Sequence, residues 1–439
     1  MQNKTVAFHT LGCKVNQYDT QAMRERFLQE GYTEVPFEGT ADVYVVNTCT
    51  VTGTGDRKSL SAIRRCARRN PEAQIVVCGC LAQRSAEEVR LPGVRLILGT
   101  QRRGEVVRLL EEAMKEGCQL VAVDSLKKAA FEQLQVDFHE GHTRAVMKIQ
   151  EGCDRYCTYC IIPSVRGPIR SRSPEEIRSE AQRLGNAGYR ELVLTGIHLT
   201  SYGRDLGDGS TLLDGIRAAC DAGAVQRVRL GSLEPVVVTE DFIEGLCRLP
   251  KVCRQFHLAL QSGSDSVLLR MGRRYRKAEF LEACARLRSA FPGCSITTDI
   301  MTGFPGETME EFAESMETCK KAGFARMHVF PYSEREGTRA EGFPGAVPVA
   351  ERERRARQMI ALGQELACRE RARRVGTGET VLLEEPEGEA FLGYTGSYMK
   401  TRVVAEAGTD LHGGELWQVD ITGVQGELLL ARAVSRVVY

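Results

Sequence analysis

The chain has 439 residues, of which 42% are hydrophobic and 27% charged, and its formal net charge is +1. Its length exceeds one hydrophobic core and predicts two or three domains; the composition excludes a disordered chain, and the charge excludes a uniformly basic nucleic-acid coat. The sequence lacks a signal-peptide pattern and an apolar run long enough to cross a membrane, so we expect a cytoplasmic protein without membrane contact. Its 16 cysteines are then expected to be reduced thiols, with a subset binding metal.

The first hundred or so residues alternate short apolar runs with helical stretches. The runs typical of strands are "TVAFHTLG", "ADVYVVNT", "AQIVVCGC" and "VRLILG". This alternation predicts an α/β domain with an open, doubly wound parallel sheet, in which ligands bind beyond the carboxyl ends of the strands. Cys13, Cys49 and Cys80 each follow or end such a run, so three thiols are expected at one edge. Cys78 remains an alternative to Cys80, because residues two apart in a strand share a face.

A weakly patterned stretch separates this domain, residues 1–118, from the next. We assign the linker to 119–138 and a central domain to 139–372. Six strand-like runs recur there with helices between them: "RAVMKIQEG", "ELVLTGI", "QRVRLGSLEP", "QFHLALQSG", "SITTDIMTGFPG" and "ARMHVFPYS". Capping boxes at Ser173 and Thr308 support the helix starts. Six such units predict a partial (β/α)6 barrel of the TIM type, with its chemistry at the carboxyl ends of the strands.

The last part of the chain changes character twice. Residues 350–374 contain eight Arg and four Glu in a helical pattern, which predicts a charged connecting helix. Short strands with Gly and acidic turns then predict a small, OB-like β-barrel over 373–439. Its aromatic residues either stack on RNA bases or fill the barrel core, and Trp417 is expected in the core. The other aromatic candidates are Phe391, Tyr394 and Tyr398.

The segment "EGCDRYCTYCIIP" places Cys153, Cys157 and Cys160 within thirteen residues. Thiolates select zinc, copper(I) or iron-sulfur clusters, and a structural zinc site normally closes with four ligands. His139 and His142 precede the strand that delivers these cysteines, which disfavours zinc. The pattern therefore favours a [4Fe-4S] cluster with three thiolate ligands and one open iron.

This C-x3-C-x2-C spacing at the end of the first barrel strand, with Tyr159 before the last cysteine, resembles the radical S-adenosylmethionine superfamily. The resemblance implies that S-adenosylmethionine binds the open iron and is cleaved reductively to an adenosyl radical. It also implies cofactor contacts in "LTGIHL", "GSLEP", "LQSG" and "DIMTGFPGE". The corresponding residues are Thr195, Gly196, Glu234, Gln261, Asp299 and Gly303. Each also has a structural explanation, since glycine permits tight turns and an acid caps helices.

The N-terminal motifs "TLGCKVNQYD", "VNTCTVT" and "VCGCLAQ" resemble the methylthiotransferase family. The resemblance implies a second [4Fe-4S] cluster on Cys13, Cys49 and Cys80, where the "GC" position selects Cys80 over Cys78. It also implies that the C-terminal barrel is an RNA-binding TRAM domain. One S-adenosylmethionine would methylate a sulfide on the second cluster, while the radical activates C2 of a modified adenine.

The motifs "LGCKVNQYDT" and "NTCTVT" look like enzymes that act on N6-threonylcarbamoyladenosine at position 37 in the tRNA anticodon loop. Enzymes acting on N6-isopentenyladenosine or on a ribosomal protein are the alternatives, and a non-catalytic zinc-binding RNA protein is the alternative of another class. The sulfur and electron donors are not encoded in any motif. Arg57, Arg64 and Arg68 share a helical face that either meets phosphate or is simply solvated.

Overall fold

The N-terminal part of the chain folds as a six-stranded parallel sheet. The structure is a computed structural model, and it describes residues 4–137, 143–405 and 409–437. The elements of this part are β1 (Thr5–Thr10), α1 (Lys14–Gln29), β2 (Thr33–Glu34), β3 (Val43–Thr48), α2 (Gly53–Arg69), β4 (Gln74–Gly79), α3 (Cys80–Arg84), β5 (Val94–Leu98), α4 (Val106–Glu116) and β6 (Leu120–Ala122).

The strand order of this sheet is β2-β1-β3-β4-β5-β6. Helices α1 and α4 cover one face through residues such as Met23 and Leu110, and α2 and α3 cover the other through Ile63 and Leu81. The predicted doubly wound sheet is therefore confirmed. Strand β6 extends the sheet to residue 122, inside the range that the sequence assigns to the linker, and the domain limits stay predictions.

The central part forms a curved wall of parallel strands with helices outside. Its elements are β7 (Arg144–Glu151), α5 (Ile162–Arg166), β8 (Arg170–Ser171), α6 (Pro174–Asn186), β9 (Glu191–Gly196), α7 (Leu212–Cys220), β10 (Arg227–Leu230), β11 (Ser232–Leu233), α8 (Glu240–Cys247), β12 (Gln255–Leu258), α9 (Asp265–Arg270), α10 (Lys277–Ala290), β13 (Ser295–Thr302), α11 (Met309–Ala322), β14 (Arg326–Pro331) and α12 (Val349–Ala372).

Two sheets make up this wall, with the orders β8-β7-β9-β10 and β11-β12-β13-β14. A parallel bridge between Val228 and Val252 joins them. Strands β7, β9, β10, β12, β13 and β14 are thus the six parallel strands of the predicted partial barrel, which is confirmed. Both predicted capping boxes, at Ser173 and Thr308, are present.

Alternation along the strands gives the barrel an apolar outside and a polar inside. Phe256, Leu258 and Ile296 point into the apolar cluster that the outer helices cover. Gln255 and His257 alternate with Phe256 and Leu258 along β12 and point to the other side. Both are hydrogen-bonded to the Thr297 hydroxyl, at 3.1 and 3.0 Å. The barrel therefore encloses a polar lumen, as expected where side chains of successive residues point to opposite faces.

The predicted charged connecting helix is α12, and it is more deeply packed than its composition indicates. Arg352 and Arg355 are buried together with Met359 and Leu362. Arg352 donates to backbone oxygens of neighbouring loops, and Arg355 pairs with Glu307 at 2.8 Å. This face of α12 belongs to the wall of the barrel and is closed to RNA.

The C-terminal part is a closed five-stranded barrel in the order β15-β16-β17-β19-β18. Its strands are β15 (Gly378–Glu387), β16 (Ala390–Thr395), β17 (Lys400–Val404), β18 (Leu416–Gln425) and β19 (Leu428–Arg436). Only the pairing of β17 with β19 is parallel among the described strands of this barrel. Trp417 lies in its core, and the predicted OB-like barrel is confirmed.

The C-terminal barrel closes the amino-terminal end of the central barrel. Arg227 and Arg229 donate to backbone oxygens of Thr380 and Gly396 at 3.1 and 3.0 Å. The rings of Tyr394 and Tyr398 stack on each other with their centroids 5.0 Å apart. Arg144 lies over the Tyr394 ring at 4.7 Å and Arg229 over the Tyr398 ring at 4.6 Å. These contacts favour a packing role over base stacking for both tyrosines.

No helix in the described ranges has both the length and the apolar character that crossing a bilayer requires.

Candidate active site and auxiliary metal centre

The loop with Cys153, Cys157 and Cys160 begins where β7 ends, at the carboxyl end of the barrel. Gly152 starts it with a φ of 71°, and a Cβ there would lie 1.8 Å from the carbonyl oxygen of Pro168. Only glycine fits such a position, since both the backbone angle and the space exclude a side chain. The Cys153 amide then donates to Gly167 at 3.0 Å, which brings the loop back over the strand end.

The middle of the loop is fixed to the opposite side of the barrel mouth. The Thr158 amide donates to Met271 and its hydroxyl to Arg270, each at 2.9 Å. Tyr159 packs beside Phe304, with ring centroids 6.2 Å apart. These contacts fix the part of the loop between Cys157 and Cys160 against the opposite side of the barrel mouth.

The donor set fits a cationic iron-sulfur core. Burial raises the pKa of Cys153 to about 11 and that of Cys160 to about 12. Buried thiols of this kind become thiolates when metal ions supply compensating charge. Arg273 also donates to the Cys157 sulfur at 3.4 Å and places a fixed positive charge beside it.

The residues predicted to contact S-adenosylmethionine line successive strand ends around this loop. Thr195 and Gly196 end β9, where a Cβ on Gly196 would lie 2.9 Å from Gln150. Gln150 in turn accepts a 2.7 Å bond from the His198 amide. Gly196 is therefore needed for close packing of β7 against β9, whatever its role in binding.

Glu234 is held by three basic side chains that the sequence analysis did not single out. Its carboxylate lies 3.1 Å from Arg155, 3.0 Å from Arg273 and 3.2 Å from His198. Burial alone would raise the pKa of Glu234, but the neighbouring His198 ring and the charges of Arg273 and Arg155 outweigh it and lower the pKa to about 2. Arg155 was visible inside the "CDRYCTYC" motif and His198 inside "LTGIHL", whereas nothing local in the sequence pointed to Arg273.

The remaining predicted contacts also have partners within the chain. Gln261 has a φ of 65°, and its amide donates to the backbone carbonyl oxygen of Asp299 in β13 at 2.9 Å. The Asp299 carboxylate lies 3.2 Å from His257. Gly303 has a φ of 71°, and a Cβ there would meet Arg352 at 2.4 Å. The structure thus explains these positions by packing, and their cofactor roles stay predictions.

A second group of cysteines lies at the carboxyl edge of the N-terminal sheet. Cys13 follows β1, Cys49 follows β3 and Cys80 follows β4, so the group spans the point where the strand order changes direction. Open α/β sheets bind ligands at this switch point. Gly12, with a φ of 99°, brings the chain so close that a Cβ would lie 2.9 Å from the Cys49 sulfur. The three thiols therefore lie at one glycine-lined edge, and a cluster on them stays a prediction.

Cys78 and Cys80, which strand periodicity leaves equivalent, lie in different surroundings. The Cys78 sulfur lies in the apolar core, 3.9 Å from the sulfur of Met23, and burial raises its pKa to about 12. Cys80 opens helix α3 instead, because Gly79 with a φ of 93° turns the chain at the strand end. Cys80 is thereby directed to the edge that Cys13 and Cys49 share.

Helix α5 connects the two groups of cysteines. It begins two residues after Cys160, and its residues Ile162 and Val165 pack with Ile161 against Cys80. Arg166, at its last position, donates to the Cys80 sulfur at 3.2 Å. The loop after β14 makes a further link, since Arg335 pairs with Asp56 at 2.6 Å near Cys49.

Among residues 4–137, 143–405 and 409–437, no three His, Cys, Asp or Glu side chains form a group that could hold one metal ion. Thiolates on a cubane cluster bind separate irons and need not converge in this way. His139 and His142 lie outside the described residues.

Comparisons with known proteins agree with this architecture. The Radical SAM superfamily model matches residues 147–319, and the model of UPF0004, an uncharacterized protein family, matches residues 5–99. The solved radical S-adenosylmethionine methyltransferase TsrM of Kitasatospora setae aligns with a TM-score of 0.55 at 15% identity, covering 77% of each chain. The cobalamin-dependent radical enzyme OxsB aligns with a TM-score of 0.51 at 10% identity, covering 84% of this chain and 56% of that one. Fold and family model together define a radical S-adenosylmethionine protein, with the [4Fe-4S] cluster and S-adenosylmethionine that this class uses.

Sequence relatives narrow the class. The threonylcarbamoyladenosine tRNA methylthiotransferase MtaB of Bacillus subtilis is 43% identical over 426 residues, which cover 95% of this chain and 93% of that one. The MtaB of Thermotoga maritima is 35% identical over 96% of both chains. The tRNA-2-methylthio-N(6)-dimethylallyladenosine synthase of Acidothermus cellulolyticus is 35% identical over 98% of this chain and 88% of that one. The chain belongs to the radical S-adenosylmethionine methylthiotransferase family, and the resemblance drawn from its sequence is confirmed.

Proposed function

We propose that this protein is a tRNA methylthiotransferase that converts N6-threonylcarbamoyladenosine at position 37 of the anticodon loop to its 2-methylthio derivative. The observation that carries the proposal is the pair of three-cysteine groups, each at the carboxyl ends of parallel strands and joined through α5. Relatives at 43% and 35% identity bear this activity in their names. Since tRNA is the proposed substrate, the proposed compartment is the cytoplasm.

We assign one [4Fe-4S] cluster to Cys153, Cys157 and Cys160 and a second to Cys13, Cys49 and Cys80. When bound, the first cluster with S-adenosylmethionine would supply a radical, and the second would present a sulfur for methylation by another S-adenosylmethionine. In the net reaction the C2–H bond of adenine is replaced by C2–S–CH3. The C2 hydrogen would leave in 5'-deoxyadenosine, the cleaved S-adenosylmethionine would also release methionine, and the methyl donor would leave as S-adenosylhomocysteine. The sulfur comes from a donor, and the electrons come from a reductant.

The chain's own residues supply position and charge for this chemistry. The buried group of Arg155, Arg273 and Glu234 lies beside the barrel triad. Nε of Arg155 and Nη2 of Arg273 are close to the carboxylate but lack the direction of hydrogen bonds. These donors are available to an anionic ligand, and we propose that they face the methionyl carboxylate of S-adenosylmethionine. Glu234 then acts by orienting them.

The other cofactor contacts are proposed as the resemblance implies. They are Tyr159, Thr195, Gly196, Gln261, Asp299 and Gly303.

The polar lumen supports threonylcarbamoyladenosine over isopentenyladenosine. The first base carries a carboxylate, which needs cations and hydrogen-bond donors, whereas an isopentenyl group needs an apolar pocket. His257 and His328 lie in this lumen with ring centroids 6.3 Å apart. Lys14, next to Cys13, acts electrostatically on His328 and on Tyr398. These groups offer hydrogen-bond donors to the carboxylate of threonylcarbamoyladenosine. An isopentenyl group would leave the same donors unpaired.

We propose that tRNA phosphates contact the exposed face of α2. Arg57, Arg64 and Arg68 are all exposed there, and α2 begins four residues after Cys49. Basic side chains on one face supply the salt-dependent part of RNA binding without sequence information.

The test is nucleoside analysis of tRNA from a strain that lacks the gene, complemented by variants. We expect threonylcarbamoyladenosine without the methylthio group to accumulate in this strain. Wild-type protein should restore the methylthio group. Cys157→Ala should restore nothing and should not release 5'-deoxyadenosine in vitro, while Cys49→Ala should still release it without methylthiolation. Cys78→Ala, a cysteine beside the second site but inside the core, is the matched control and should complement.

Methylthiolation by reconstituted Cys157→Ala or Cys49→Ala protein would overturn the proposal. If the strain instead lost the methylthio group of isopentenyladenosine, the family assignment would stand and the substrate would be the alternative one.

A further inference from the structure

Arg166 is a fully buried guanidinium that contacts a cysteine of the second site. Its Nε donates to the Cys80 sulfur at 3.2 Å, and its Nη1 donates to Asp19 at 3.0 Å and to Glu151 at 2.9 Å. Its Nη2 donates to Asn16. The side chain therefore has partners on both sides of the junction between the N-terminal sheet and the barrel, and its orientation toward Cys80 is fixed.

The charges around Arg166 do not balance within the described residues. Four cations lie in one buried group with three carboxylates, which leaves one excess positive charge. The cations are Arg103, Lys148, Arg166 and Arg170, and the carboxylates are those of Asp19, Glu132 and Glu151. Nε and Nη1 of Arg170 also lack any hydrogen-bond partner there. Burying an uncompensated charge is unfavourable, so an anion is expected next to this group.

A [4Fe-4S] cluster in its 2+ state with three thiolate ligands carries one net negative charge, and Cys80 would present it to Arg166. The charge of the buried group and that of the cluster are then equal and opposite. The hydrogen bond from Nε would remain, now to a thiolate, and charge-assisted hydrogen bonds of this type are the strong ones.

We propose that Arg166 is a positioning residue for the second cluster, which holds the Cys80 thiolate by a hydrogen bond and raises the reduction potential of that cluster. This inference rests on the proposed function, since it requires the second cluster. A cation and a hydrogen-bond donor beside a ligating sulfur favour the state with one more electron, and net charge and hydrogen bonds to sulfur are among the factors that set cluster potentials. Because Arg166 ends the helix that begins after Cys160, it also fixes the second cluster relative to the barrel triad.

The test measures the potential of the second cluster alone, in full-length protein with Cys153, Cys157 and Cys160 replaced by Ala. In this background Arg166→Gln, which removes the charge, should shift the midpoint potential to more negative values in an EPR-monitored redox titration. Arg166→Lys, which keeps the charge but not the planar fork, should give a smaller shift in the same direction.

Arg172→Gln is the matched control. Arg172 is equally buried at the same junction, where it pairs with Glu180 and donates to Tyr18 at 2.9 Å, but it is not bonded to a cysteine. The Arg172→Gln substitution should leave the reduction potential of the second cluster unchanged. Loss of iron from Arg166→Gln but not from Arg172→Gln would also support the proposal.

An unchanged potential in Arg166→Gln would overturn the inference, and so would equal loss of iron from both variants, which indicates a purely structural role. Absence of iron from the parent with the three alanines would contradict the second cluster itself, and hence the proposed function. The two failures are therefore distinguishable.

Discussion

Glu191 is the anion on which the junction between the central barrel and the C-terminal barrel depends. It is fully buried, and Arg229 and Arg227 donate to its two carboxylate oxygens at 2.7 and 2.8 Å. The same guanidinium groups also donate to backbone oxygens of β15 and of the turn between β16 and β17. Glu191→Gln keeps the shape of the side chain and leaves two buried cations without a counter-charge.

The magnitude follows from the pKa of Glu191. Burial raises this pKa, but Arg227 and Arg229 lower it more strongly, and the result is about 2 against an ordinary value of 4.5. That difference corresponds to about 3 kcal/mol of stabilisation by the ionised carboxylate at neutral pH. Because the pKa is depressed in the folded state, the contribution is fully present above pH 4.5 and is lost as the pH falls toward 2.

Trp417 makes this prediction measurable, since it is the single tryptophan of the chain and lies in the core of the C-terminal barrel. We expect fluorescence-monitored urea unfolding of metal-free Glu191→Gln protein at pH 7 to give a free energy of unfolding about 3 kcal/mol below wild type. The difference should shrink once the pH is below 4.5. Glu384→Gln is the control, because its partner Arg144 is partly exposed and its loss should cost less. Equal stability of wild type and Glu191→Gln at pH 7, or a difference that does not change with pH, would refute the reasoning.

Three further predictions concern the metal sites and the C-terminal barrel. Cys80→Ala should lose the iron of the second cluster, while Cys78→Ala should keep it. Iron analysis of the reconstituted variants measures this, and equal iron content in both would contradict the assignment. Gly152→Ala should lose the barrel cluster, because its Cβ would lie 1.8 Å from a backbone oxygen, and a normal absorbance spectrum with normal S-adenosylmethionine cleavage would argue against this. Removal of residues 373–439 should weaken salt-dependent tRNA binding and also lower the melting temperature, since Arg229 loses its two backbone acceptors in the C-terminal barrel. Undiminished tRNA affinity would exclude an RNA role for this barrel.

Local patterns predict well those features that depend on neighbouring residues. The runs of apolar residues located β1, β3, β4 and β5 of the N-terminal sheet and the six parallel strands of the central barrel, but not the short strands β2, β6 and β8. The capping boxes at Ser173 and Thr308 located two helix starts. The spacing of Cys153, Cys157 and Cys160 indicated a metal-binding triad, and that assignment stays a prediction. In each case the signal lies within a few residues, where backbone geometry couples them directly.

Features that depend on distant parts of the chain were less accessible. Strand periodicity left Cys78 and Cys80 equivalent, and it is the left-handed turn at Gly79 that separates them. Glu234 was expected to face the cofactor, but its carboxylate is held by Arg155 and Arg273, which no local pattern connects. These pairings arise from packing of loops that are far apart in sequence.

The sequence by itself determined the three-part architecture, the two groups of cysteines and the methylthiotransferase family, because strand periodicity, ligand spacing and family motifs are all written locally. Only the tertiary structure decided how the two groups relate. Arg166 and Cys80 are 86 positions apart, and their hydrogen bond exists because α3 and α5 pack at the junction of two domains. The buried charges around Arg166 come from five separate segments, and only a folded chain brings them close enough, in a medium of low dielectric constant, for their sum to matter.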